Sequence, residues 1–282
     1  MTSGATAKFY ILLSLKFWLS VSTLDAASAD WKLVWSDEFD ISGLPNPQKW
    51  DYETGFIRNN EAQYYTRARQ ENARVENGML IIEARKEQFQ NPAFKADAPK
   101  NGRNREFAEY TSGSLTTRGK ASWTHGRIEV RARLPGGRGT WPAIWMLGAD
   151  PRAGWPACGE IDMMEHVGFD PGKIHANIHT AKYNHVKKNG KGSQLSVADA
   201  TAAFHVYALE WSSERLDFFV DDQKYFTYEN EKTGSDAWPY DKPHYLILNL
   251  AIGGAWGGQK GIDESIFPQR YYFDYVRVYE KK

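Results

Sequence analysis

Disulfides, repeats, linkers and helical periodicity are all missing from this chain, and each gap narrows what it can be. Cys158 is its only cysteine, so no intrachain disulfide can form, and stability must come from packing or from a bound metal. No Ser/Gly- or Pro-rich linker, internal repeat or low-complexity tract interrupts the sequence, which speaks against a second, tethered module. Charge of one sign is missing as well. Lys and Arg number 35, Asp and Glu 35, so the balance gives no reason to expect nucleic acid as a partner, and a neutral polymer suits it. Helical spacing of apolar residues is almost absent, and only residues 196–204 offer a single turn of helix.

What is present is a series of short runs with strand character. Trp31 to Phe39 alternates apolar and polar residues, with the acidic Ser36-Asp37-Glu38 inside it, and Pro45 and Pro47 mark a loop after it. Val75 to Lys86 reads as a hairpin turning at Glu76-Asn77-Gly78, because Asn-Gly supplies the positive φ angles of a tight turn. Ser112 to Thr117, Gly126 to Leu134 and Thr140 to Leu147 follow as strands. In the second of these Ile128, Val130, Ala132 and Leu134 face inward, while Arg127, Glu129, Arg131 and Arg133 face out. Leu216 to Tyr228 is a hairpin around Asp221-Asp222, Tyr245 to Ile252 an apolar strand, and Tyr271 to Tyr279 a last alternating one. Phe89 to Ala108 and Tyr183 to Asp199 read as loops. Many short strands with turn signals between them define an all-β sandwich.

Residues 1–29 read as an export signal. Lys8 precedes an apolar run from Phe9 to Val21, and Ala27-Ser28-Ala29 is the small-x-small pattern of a signal peptidase site. Lys16 and Asp25 depart from that pattern, and an uncleaved anchor is the alternative. Residues 30–282 then make one domain, long enough to bury a large core. The expected location is secreted or periplasmic, with no membrane contact in the mature form.

The chemistry concentrates in Gly159-Glu160-Ile161-Asp162-Met163-Met164-Glu165-His166-Val167. In an extended strand Glu160 and Asp162 share one face, while Ile161 and Met163 enter a core on the other. Strict alternation would send Glu165 into that core, where an unpaired carboxylate is costly. A β-bulge at the Met pair repairs this by absorbing one residue, after which Glu165 rejoins the acidic face. The two Glu backbones then stand on the order of 13 Å apart, at ~3.3 Å per step. Side chains leaning together can close this to the roughly 5–5.5 Å carboxyl separation of a retaining glycosidase. Asp162 between them can hold a proton and keep Glu165 protonated. The bare pattern also suits a solvated strand face. His175, Asn177 and His179 alternate onto one face of the next strand.

This stretch, read to Gly168, resembles the catalytic strand of glycoside hydrolase family 16, in its laminarinase-like branch with the extra bulge residue. So do His125 to Pro135, Gly139 to Gly148, Ile178-His179-Thr180, Phe204 to Trp211, Asn249 to Gly254 and Phe273 to Tyr279. The resemblance runs from Trp31 to the end of the chain. It implies a curved jelly roll with a concave substrate cleft, and an endo-acting, retaining hydrolase of β-1,3-glucan. Glu160 is then the nucleophile, Glu165 the acid/base and Asp162 the residue that tunes them. It also implies sugar contacts from Asn60, Trp141, Trp145 and His179, with His179 beside the acid/base, while the glycine-rich loop Gly253 to Gly258 leaves room for a ligand, with Trp256 as a sugar platform. From alternation alone Trp141 and Trp145 share one face, which could equally be core.

The family further suggests a structural calcium at Glu38, the Gly78 carbonyl and Asp274, with Asp274 facing the core beside Val276 and Val278. No cofactor is expected for catalysis. The partner is a polysaccharide, and the chain is expected to be a monomer. Alternatives are a mixed-linkage glucanase or galactanase of the same family, or a lectin-like glucan-binding domain, against which the intact acid trio argues. A metal hydrolase built on Glu160, Asp162, Glu165 and His179 stands behind these, because ligands spread along one strand are poorly placed to converge on one ion.

Overall fold

The computed structural model describes residues Met1, 30–99 and 102–282. The export-signal reading falls on residues outside these. The chain divides into two units, Met1–Asp30 and Trp31–Lys282, and all described strands lie in the second.

The strands are β1 (Trp31–Asp37), β2 (Asp51–Tyr52), β3 (Gln63–Tyr65), β4 (Ala73–Glu76), β5 (Met79–Gln90) and β6 (Phe107–Ser112). Then come β7 (Ser114–Thr116), β8 (Gly126–Arg133), β9 (Thr140–Gly148), β10 (Glu160–Glu165), β11 (Lys173–His179) and β12 (Lys191–Ser196). The last are β13 (His205–Trp211), β14 (Arg215–Val220), β15 (Gln223–Glu229), β16 (His244–Ile252) and β17 (Gln269–Lys281). Ten of them form one sheet, in the order β15-β14-β13-β8-β17-β5-β6-β3, with β1 on β17 and β4 on β5. Seven form the other, β12-β11-β10-β9-β16-β7-β2. The pairs are antiparallel except β3 with β6. The architecture is the all-β jelly-roll sandwich, and it is open rather than a closed barrel.

One core fills the space between the sheets. Ile128, Val130 and Ala132 of β8 and Tyr207 and Leu209 of β13 come from one side, Ile144, Met146, Ile161, Ile178 and Leu248 from the other, all fully buried. The alternation in β8 is as the sequence implies, with every second residue buried. Both hairpin turns form where expected, with Asn77 and Asp221 at φ of 54° and 52°.

Two segments differ from expectation. Residues 183–199 are not all loop: β12 pairs with β11 at the sheet edge, and its mostly exposed residues lack the apolar alternation that marks a strand. At 196–204 the chain makes a single hydrogen-bonded turn, with Ala203 N donating to the Asp199 carbonyl at 2.8 Å, that does not extend into a helix, and the one helical element among the described residues is a 3-10 turn at Glu264–Ile266.

Candidate active site

β10 lies inside the seven-stranded sheet, bonded to β9 on one side and β11 on the other. Both ladders slip at the methionine pair, between Asp162 and Met164 against β9 and between Asp162 and Glu165 against β11. This is the expected bulge. Met163 and Met164 are both fully buried in the core, and Tyr225 of the opposite sheet donates its hydroxyl to the Met163 carbonyl at 3.4 Å. The extra residue is thus anchored by apolar packing and by a hydrogen bond from the other layer, while Glu160, Asp162 and Glu165 share the outward face.

The two glutamates each have their own donors. Trp155 Nε1 donates to Glu160 Oε2 at 2.9 Å. Glu165 accepts from Trp141 Nε1 and from Asn177 Nδ2, both at 3.0 Å. His179 stands opposite Glu160 in the ladder, its Nε2 3.5 Å from Glu160 Oε1 and 3.3 Å from Asp162 Oδ2. The Tyr240 hydroxyl spans the Glu160 and His179 carbonyls at 3.0 and 3.4 Å. Among the described residues no Lys or Arg forms an ion pair with the three acids.

That lack of cations sets the electrostatics. Burial pushes Glu160 well above the usual carboxylate range, the Asp162 charge pushes it further, and His179 and the Trp155 donor pull the other way. Burial and the Glu165 charge raise Asp162 likewise. Burial also raises Glu165, opposed mainly by the Trp141 hydrogen bond, with His179 and Asn177 adding to it. Three carboxylates packed this way hold a proton more tightly than ordinary carboxylates do, which favours acid catalysis.

The other expected site residues are distributed unevenly. Trp141 meets Trp256 edge-on, ring centres 5.7 Å apart, and Trp256 meets His175 at 4.9 Å, so a half-buried aromatic group flanks Glu165. Trp145 does lie on the outward face with Ala143, Tyr245 and Ile247, yet it is 7% exposed, because Arg58 covers it at 4.8 Å and Asn249 takes its Nε1 hydrogen bond. It is cleft floor rather than a bare platform. Asn60 is exposed on a turn with φ of 51°, and the neighbouring Asn59 carbonyl accepts from Ala255 N at 2.9 Å. Gly254 allows that approach, with φ of 75° and the Asn59 oxygen 3.2 Å from where a Cβ would stand.

Two expectations need correction. His179 lies beside Glu160 and Asp162 rather than beside Glu165, the expected acid/base, since antiparallel pairing brings Asn177 to hydrogen-bond Glu165. Asp274 does not face the core. A register slip between Phe273 and Tyr275 turns it outward, its side chain is 39% exposed, and it pairs with Arg131 at 2.5 Å. Glu38 is held bidentately by Arg277 at 2.9 and 3.0 Å. As placed, neither carboxylate is free to face a cation.

Sequence reasoning passed over Trp155 and the role of Asn177. A Trp between Gly154 and Pro156, five residues ahead of an acid, was the available signal for the first. The shared face of His175, Asn177 and His179 was the signal for the second.

With this geometry in view, residues 60–277 match the model of glycosyl hydrolases family 16, and the chain belongs to that family. It is a glycoside hydrolase. The β-glucanase of Rhodothermus marinus is 54% identical over 259 residues, spanning 88% of this chain and 85% of that protein. The X-ray structure of the laminarinase from Rhodothermus marinus has a TM-score of 0.81 at 52% identity, covering 89% of this chain and 98% of its own. A mutant of a non-specific endo-β-1,3(4)-glucanase of the family has a TM-score of 0.83 at 48% identity, covering 90% and 96%. It was crystallised with a 1,3-β-D-cellotriosyl-glucose and presents a 1,3-β-D-cellobiosyl-glucose at its active site.

Proposed function

We propose that this protein is an endo-acting, retaining glucanase cleaving β-1,3 linkages of a laminarin-type polymer. The observation that carries this is the bulged β10, which sets Glu160 and Glu165 on one face, each in its own set of neutral donors. A Glu160 oxygen attacks the anomeric carbon as the glycosidic bond breaks, and the departing oxygen takes the Glu165 proton. Water then gives a proton to Glu165 and attacks the same carbon, which releases Glu160 and retains the β configuration. Asp162, buried between them, shares its site with the proton that Glu160 must not hold during attack.

Substrate preference is argued from cleft shape and from the activities named for the relatives. β-1,3-glucan is a curved chain, and Trp141 and Trp256 meeting at an angle beside Glu165 suit curvature. Reducing-sugar release is expected to be greatest on laminarin, weaker on barley β-glucan and nil on cellulose. Activity on agarose above that on laminarin overturns the substrate and leaves the mechanism standing.

A secreted or periplasmic location rests on residues 1–29 and is tested by cell fractionation. A monomeric state is tested by light scattering. Calcium at Glu38, the Gly78 carbonyl and Asp274 requires the ion to displace Arg277 and Arg131, and a calcium-dependent rise in Tm, reversed by EDTA, is its test.

A further inference from the structure

The surroundings of Glu160 are built for a second kind of ligand. Glu160 and Asp162 are two residues apart on one face of β10, and His179 lies directly opposite Glu160 on β11. An i, i+2 pair on one strand and the facing residue on its neighbour make three points of a small triangle, so ligands along a strand do converge here. One oxygen or nitrogen from each residue lies within 4.8 Å of the others.

Two observations separate this from an ordinary acid cluster. Asp162 is 3% exposed, and its Oδ2 has no hydrogen-bond partner among the described residues although His179 Nε2 is 3.3 Å away. The nitrogen and oxygen are neighbours without an N–H aimed from one to the other. In addition, ligand atoms around a tetrahedral ion with bonds of about 2.0–2.2 Å stand about 3.3–3.5 Å apart. The two contacts from His179 Nε2 measure 3.3 and 3.5 Å. Glu160 turns its other oxygen to Trp155, which leaves Oε1 for this triangle.

The donor set selects the metal. Two carboxylate oxygens and an imidazole suit zinc better than magnesium or calcium, which favour oxygen alone. A divalent ion would also relieve the repulsion between two buried carboxylates that no Lys or Arg offsets. We propose that Glu160, Asp162 and His179 form an inhibitory Zn2+ site, in which the ion occupies the Glu160 oxygen that the substrate needs and so competes with the polysaccharide. The inhibition rests on Glu160 being the nucleophile, whereas the binding does not.

The test is calorimetric titration of the full chain with zinc chloride and with magnesium chloride, without substrate. Wild type and His185→Ala, whose ring packs on His179 at 5.2 Å, are expected to bind one zinc and no magnesium. His179→Ala and Glu160→Gln, checked for folding by Tm, should bind zinc more weakly than wild type by more than the roughly 10- to 100-fold that outer-shell changes cost. A laminarin oligosaccharide should weaken zinc binding to wild type, and zinc should slow hydrolysis until EDTA is added. Wild type that takes up no zinc overturns the site. So does uptake unchanged in both folded variants, or lost in His185→Ala instead. Zinc bound as described by a protein that hydrolyses no glucan leaves the site standing and sinks the functional reading.

Discussion

The outward faces of the two sheets carry the same acidic groups in opposite company. On the ten-stranded sheet the carboxylates that are paired mostly meet guanidinium: Arg127 reaches Glu129 and Glu210, Arg131 reaches Asp274, and Arg277 grips Glu38. Glu83, 1% exposed, is ringed by Arg74, Arg85 and Arg270. On the seven-stranded sheet Glu160, Asp162 and Glu165 meet indoles, an amide and an imidazole. A paired carboxylate is neutralised and inert, so the first face is structure. A carboxylate held by neutral donors keeps its proton affinity and its lone pairs, so the second face can react.

The sharpest way to break this contrast is to delete a reactive acid. Glu160→Ala is expected to lose turnover and regain part of it with azide as an α-linked glycosyl azide, because a small anion replaces the missing nucleophile. Glu165→Ala should cost about 10²–10⁴-fold in kcat on laminarin, and with an activated substrate it should yield the β-azide. Opposite anomers reverse the two roles. Neither change should lower Tm.

Deleting a paired acid should do the reverse. Glu83→Gln leaves three arginines around a neutral amide, and a loss of about 3 kcal/mol is expected, at the low end for a broken buried pair because the arginines reach solvent. Urea unfolding measures it. Full activity per folded molecule should remain, and a catalytic defect without a stability loss would erase the distinction between the faces.

A subtler change is to remove one neutral donor. Asn177→Ala takes away a hydrogen bond that opposes the raised affinity of Glu165 for its proton. The basic limb of the pH–rate profile should therefore move to higher pH, with a modest fall in kcat. An unmoved limb means that Glu165 is not the acid.

The two faces also differ in linkage. Burial raises Glu165 above its unfolded value, so between the two values the native state holds more protons than the unfolded chain, and stability falls as pH rises through that window. Glu165→Gln removes this penalty. It should raise Tm at neutral pH, and the gain should vanish in acid below the ordinary glutamate range. A gain that is constant with pH would assign it to packing. The smallest effect belongs to Arg131→Ala, which breaks an exposed pair worth about 0–1 kcal/mol and should leave activity unchanged.

Most of the fold and the heart of the site were legible in the sequence for identifiable reasons. The bulge was readable because a buried unpaired Glu165 is too costly to accept, and the methionine pair was the place to absorb a residue. The alternation of β8 displayed its own burial. What was illegible depends on register between strands. Asn177 and His179 share a face, but only the antiparallel slip at the bulge decides which reaches Glu165 and which Glu160. Asp274 was misjudged because its cost in the core was assigned to a bound cation, whereas a second slip turns it outward. Trp155 comes from a loop, where no period constrains direction.

Glu160, Asp162 and Glu165 stand on a strand laced to a neighbour on each side, while Trp155, Asn60 and Trp256 come from turns that belong to no strand. The reagent is therefore fixed to the frame, and the mould around it is detachable. Exchanging the segments 54–62, 149–159 and 253–261, with Trp155 kept as the donor to Glu160, redraws the outline offered to a ligand without moving the three carboxylates. A scaffold of this kind can change its diet by loop replacement alone, in descent or in the laboratory.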